Sequence, residues 1–153
     1  MSKRSVLLAA LASAPDDVRR LVQAVDEASA HRRPSPDEWS LAEVLAHLAD
    51  VEGRYLARLK RVVDEDRPHV PYIHPDETVY EPSVPAGELL VDFEQRRDET
   101  LVFLEGLSAG AWQRKAVHET WGAVSLRALV QALVDHDTNH LQQAAAVRKR
   151  LDF

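Results

Sequence analysis

The helical period of the apolar residues narrows the fold more than any other feature of this sequence. Leu41, Val44, Leu45, Leu48, Tyr55 and Leu59 fall on one stripe of a 3.6-residue helix. Ser40 stands where an N-cap belongs, and Glu43 three residues later completes a capping box, so this helix should run from Ser40 to about Asp64. Leu90, Phe93, Arg97, Leu101 and Leu104 trace another from about Glu88 to Leu107, with Gly106 and Gly110 punctuating its end. A further helix from Ser125 to about Arg150 closes on Arg148, Lys149 and Arg150, which complement the helix dipole. The first helical region covers about Ser5 to Ala30, broken or kinked at Pro15, with Asp16 and Asp17 in the first turn of its second piece. Glycine is scarce, at five residues, and no sustained alternating pattern suggests a strand. The expected fold class is therefore all-α, a four-helix arrangement in one domain spanning residues 1–153, long enough for a proper core.

Several function classes fall away. The formal charge of −6 provides no basic footprint for nucleic acid or an anionic membrane. No apolar run approaches the ~20 residues that span a bilayer. The opening Met1-Ser2-Lys3-Arg4 and the apolar run after it have the outline of a signal peptide. Pro15-Asp16-Asp17, however, leads straight into another amphipathic helix, so the stretch reads as part of the domain. The absence of cysteine excludes disulfides and thiolate chemistry and fits a cytoplasmic protein. Phosphate-cradling glycine loops, G-x-S-x-G elbows and H-E-x-x-H motifs are all missing.

The chemistry concentrates in His136-Asp137-Thr138-Asn139-His140. Two histidines four residues apart share one helical face, one turn apart, as in helix-borne metal sites. Leu126, Leu129, Leu133, Ala144 and Val147 lie on that same face, so both imidazoles point inward. Buried imidazoles need partners for their nitrogens, and a divalent cation or a backbone carbonyl could serve. His47 is the natural third ligand, although it sits beside its helix's apolar stripe, where it could face the bundle's opening or be a surface histidine. Glu52 and Asp137 are acids on or near apolar faces. Either could orient an imidazole or take a proton as a catalytic base; the alternative is a salt bridge to an arginine such as Arg97. Between Asp64 and Gly87 lie five of the eight prolines, a density that excludes helix. His69, Tyr72 and His74 in this loop are candidate substrate contacts, or simply surface residues. His31 and His118 sit in connections without specific promise. Trp39, Trp112 and Trp121 read as packing residues, with Trp121 also placed to wall a cleft before the last helix. An echo between Trp39-Ser40-Leu41 and Val124-Ser125-Leu126, with similar residues after each, suggests two related helical hairpins or merely shared helix grammar.

Taken together, Trp39-Ser40-Leu41-Ala42-Glu43-Val44-Leu45-Ala46-His47-Leu48 and His136-Asp137-Thr138-Asn139-His140-Leu141-Gln142-Gln143 resemble the DinB-like (YfiT-like) superfamily of metal-dependent enzymes, with Phe93 and Arg97 falling where that family's third helix carries an aromatic and a basic residue. The likeness spans nearly the whole chain. It implies an up-down-down-up four-helix bundle, a metal at one mouth held by His47, His136 and His140, zinc or nickel as the usual ion, and a homodimer. Some members transfer or isomerise thiols such as bacillithiol, mycothiol or glutathione; many have no known reaction. The chain's length predicts no extra C-terminal domain of the maleylpyruvate isomerase kind, and hence not that activity.

The resulting expectation is an enzyme using one divalent ion on three imidazoles to activate water or a small thiol, as a hydrolase or thiol S-transferase. Zinc, nickel, manganese and iron all suit such a donor set. The partner would be a small molecule, possibly a low-molecular-weight thiol. The competing expectations are a non-catalytic bundle that binds a metal or small ligand, and a structural dimer with vestigial histidines.

Overall fold

A computed structural model describes residues 3–153; Met1 and Ser2, the start of the basic-then-apolar opening, lie outside the described residues. The helix that the stripe predicts is α3, Leu41–Asp64. Its capping box is formed: Glu43 N donates to Ser40 Oγ at 3.1 Å, and Ser40 N donates to Glu43 Oε1 at 3.2 Å. Such a cap stabilises a helix by about 1 kcal/mol. Helix α5, Leu126–Arg150, is likewise capped by Ser125, whose Oγ accepts from Ala128 N at 3.0 Å. Helix α4 spans Ala86–Glu105, starting two residues earlier than expected.

The N-terminal region departs from expectation. Helix α1 runs unbroken from Lys3 to Val22 through Pro15, and the break comes after it, where Asp26 caps the short α2, Glu27–Ala30. Proline has no N–H, so it leaves the carbonyl four residues back without its helical partner. That carbonyl is Leu11 O, and Arg97 Nη1 of α4 donates to it at 2.8 Å. The bond that Pro15 cannot make is supplied from another helix.

Side-chain pairings set the topology. Leu7 and Leu11 of α1 pack with Leu126, Leu129 and Leu133 of α5, while Val18 and Val22 pack with Ala144 and Val147, so α1 and α5 run parallel. In the same way Val44 and Leu45 share a cluster with Val147, and Leu59 with Leu126, which makes α3 antiparallel to α5. Helices α3 and α4 run together, Leu48 near Phe93 and Leu59 near Leu104. The order is up-down-down-up. Two apolar clusters fill the bundle, and each long helix crosses from one to the other. On α4 and α5 the crossing is marked by Arg97, His136, Asp137 and His140, between Phe93 and Leu104 and between Leu133 and Ala144.

A three-stranded sheet also forms, which the sequence did not suggest. β1 (His69–Val70) pairs in parallel with β2 (Lys115–His118), which pairs antiparallel with β3 (Gly122–Ser125). Strands of two to four residues are too short to show an alternating pattern. Gly122, at φ +72°, takes the left-handed conformation that ends the tight turn between β2 and β3. The proline-rich segment is thus partly ordered as β1 and a 3-10 turn at Pro75–Glu77. No helix among the described residues is long and apolar enough to cross a membrane.

Candidate metal centre

Helix α3 contributes His47 and α5 contributes His136 and His140, one turn apart as their spacing requires. One ligand atom from each lies within 4.8 Å of the others. The ring centroids are 5.1 Å apart for His47 and His136, 4.6 Å for His47 and His140, and 4.3 Å for His136 and His140. His47 is 3% exposed, which settles the ambiguity of its wheel position in favour of the interior.

Hydrogen bonds set which nitrogens are available. Thr78 Oγ1 donates to Asp50 Oδ2 at 2.9 Å, so its lone pairs accept from His47 Nδ1 at 3.2 Å. His140 Nδ1 donates to Gln143 Oε1 at 2.7 Å. With their Nδ1 atoms protonated, both rings turn a bare Nε2 to the shared space, the arrangement typical of metal-ligating histidines. His47 Nε2 and His136 Nε2 stand 3.0 Å apart, close enough that two lone pairs would repel unless a proton or a cation lay between them. His136 Nδ1 is buried without a hydrogen-bond partner among the described residues. Two nitrogens ~2.1 Å from one tetrahedral zinc would lie ~3.4 Å apart, against 3.0 Å for the His47–His136 pair and a spread of up to 4.8 Å across the trio. The donor set fits a divalent ion.

Burial disfavours the charged form of all three rings. Burial, then the neighbouring His140, lowers the pKa of His47 to about 4. Burial together with His140, His47 and Arg97 lowers that of His136 to about 3, and burial also lowers that of His140. Neutral imidazoles are the metal-binding form. The indole of Trp39 covers the cluster, 5.2 Å from the His47 ring and stacked at 6.3 Å on His140.

Arg97 answers the choice left open for Glu52 and Asp137. Its Nε and Nη2 donate to Glu52 at 2.8 and 2.9 Å, and its Nη1 and Nη2 to Asp137 at 2.8 and 2.7 Å. Adding Leu11 O, all five guanidinium donors are used. All four carboxylate oxygens face Arg97, and neither acid lines the cavity beside the histidines. In this geometry both acids are the ion-pair partners of Arg97, the alternative that the sequence also allowed, and the cluster fastens α5 next to His136. Burial raises the pKa of Asp137, while Arg97 opposes the shift.

The histidines open on a cavity of about 420 Å³ lined by α3 and α5 together with the 72–75 segment and the β2–β3 hairpin. Of the loop candidates only Tyr72 lines it. His74 is exposed and packs against the Tyr72 ring at 4.8 Å, and His69 is exposed on β1. The β2–β3 hairpin adds His118 and Trp121, stacked at 3.9 Å, so His118 belongs to the site after all. Sequence reasoning missed Thr78, Asp50 and Gln143 as partners of the imidazoles. Gln143 was within reach, being three residues beyond His140 on the same face; Thr78 lies in the proline-rich segment, where no period reveals contacts.

Residues 10–144 match the family model of the DinB superfamily. The chain belongs to that superfamily. Among solved structures, YfiT from Bacillus subtilis, described as a probable metal-dependent hydrolase with an unusual four-helix bundle topology, superposes with a TM-score of 0.87 at 16% identity, covering 100% of this chain and 91% of its own. The DinB-like protein YjoA from the same organism gives 0.69 at 16% identity, with 96% and 92% covered. A conserved protein from Enterococcus faecalis gives 0.77 at 15% identity, with 99% and 98% covered. At such identities the likeness is one of fold. No curated protein sequence matches the chain.

Proposed function

We propose that this DinB-superfamily protein is a divalent-metal-dependent enzyme, a hydrolase or a thiol S-transferase acting on a small molecule. One observation carries the reading: three imidazoles from two helices bring ligand atoms within 4.8 Å of one another on the wall of a cavity large enough for a substrate. The description of YfiT as a probable metal-dependent hydrolase is consistent with it. Zinc or nickel is the ion we favour, with manganese and iron also suited to the donors.

When bound, a divalent ion supplies Lewis acidity that makes water or a thiol a nucleophile near neutral pH. The chain's own contribution is positional. Thr78 and Asp50 hold the tautomer of His47, and Gln143 that of His140. The Arg97 cluster anchors α5 through Asp137. Trp39 shields one side of the imidazoles, and the 72–75 segment with Trp121 shapes the substrate space.

The test is turnover. Purified protein, protein stripped with a chelator, and stripped protein reloaded with zinc or nickel are offered a low-molecular-weight thiol with an electrophile, and separately an activated ester. The expected result is turnover in one assay that is lost on stripping and restored on reloading. Equal rates in stripped and loaded protein would contradict the proposal.

A further inference from the structure

Two arginines are buried, and their surroundings differ. Arg97 is fully buried between two carboxylates. Arg58 is 6% exposed, yet it forms no ion pair among the described residues. Its Nη2 donates to Pro71 O, its side chain also hydrogen-bonds the Tyr55 hydroxyl, and its guanidinium lies 4.9 Å from the Tyr55 ring centroid. Burial works against its charge. Buried arginines are almost always paired, because an uncompensated charge away from water is costly.

Arg58 lines the cavity that holds the three histidines. His47, Val51, Tyr55 and Arg58 follow one face of α3, and eleven residues at ~1.5 Å place Arg58 roughly 16 Å further along the axis than His47. Side chains lean toward a helix N-terminus, which shortens that span. Tyr55 lies between, and Trp121, 51% exposed and stacked on His118, offers an unpaired aromatic face. Arg58 is the one arginine or lysine among the described residues lining this space. Asp135 also lines it. One guanidinium matches one carboxylate; a phosphate dianion would leave charge uncompensated beside Asp135.

We infer that the cavity takes an elongated carboxylic acid whose carboxylate pairs with Arg58, whose apolar body lies along Tyr55 and Trp121, and whose far end reaches the histidines. Only the last clause rests on the proposed metal-dependent reaction.

Calorimetric titration with 4-phenylbutyrate and its neutral twin 4-phenylbutyramide tests the inference, on protein as purified and after chelator treatment, with metal content measured separately. The expected result is acid binding at least ~10-fold tighter than amide in both preparations, the scale of a charge-assisted hydrogen bond. R58Q should bring the pair within about twofold, and R58K should keep part of the preference because it keeps the charge without the fork. Far-UV circular dichroism checks that the variants fold; the comparison in the unaltered protein stands without them. Equal binding of acid and amide would overturn the inference, as would a preference that survives R58Q or one that disappears when metal is removed. Phenyl phosphate is expected to bind more weakly than 4-phenylbutyrate; tighter binding would overturn the assignment to a carboxylate. Absence of metal from the purified protein would sink the proposed reaction and leave the acid–amide comparison intact.

Discussion

His47, His136 and His140 were legible in the sequence to different degrees, for physical reasons. A pair at i and i+4 on a face of leucines has one direction to point, and α5 points it there. His47 is a single residue at the edge of a stripe, and only packing against Thr78 and Trp39 shows which way it turns. The neutrality of these rings has a measurable consequence. Folding lowers the pKa of His47 from 6.5 to about 4 and that of His136 to about 3, so the unfolded chain takes up protons first as pH falls. The stability these groups contribute is complete above about pH 6.5 and erodes as pH drops toward the folded values, by up to ~1.4 kcal/mol per pH unit for each imidazole. Urea unfolding of metal-stripped protein should show this loss between pH 6.5 and 4, and His136→Gln should flatten it. An unchanged slope in that variant would disprove the assigned titration.

At the scale of elements, the capped helices α3 and α5 matched their sequence signals almost to the residue, because caps and stripes are local. The misreadings concern features decided by distant partners. Pro15 looks like a break until Arg97, 82 positions away, takes over the freed Leu11 carbonyl. The strands β1 to β3 escaped notice because each is short, and β1 pairs with β2 across 48 residues. Arg97 joins four helices at once: α1 through Leu11, α3 through Glu52, its own α4, and α5 through Asp137. Removing it strands two buried acids. Arg97→Met should therefore lower unfolding free energy by ~3–5 kcal/mol in guanidinium titrations, and adding Glu52→Gln and Asp137→Asn should restore part of the loss by removing the orphaned charges. A loss below ~1 kcal/mol, or no recovery, would show that the cluster does not hold the bundle together.

Across the whole molecule, the up-down-down-up order brings α3 and α5 together as antiparallel neighbours, and this is what unites a histidine near residue 47 with a pair 89 and 93 positions later. Periodicity alone shows four helices and not their order, so the topology was available only through family resemblance. The cavity depends further on the proline-rich segment and the β2–β3 hairpin, which close over the seam and were readable only as connections. The polar level between the two apolar clusters then carries the imidazoles and, beside them, the Arg97 cluster that fixes α5. The proposed chemistry requires that the three imidazoles share one ion. Metal analysis of protein from native expression tests it most directly, comparing the unaltered chain with His140→Ala. About one divalent ion per chain is expected in the former and a large loss in the latter, with helical content unchanged. The same metal stoichiometry in both proteins would contradict it.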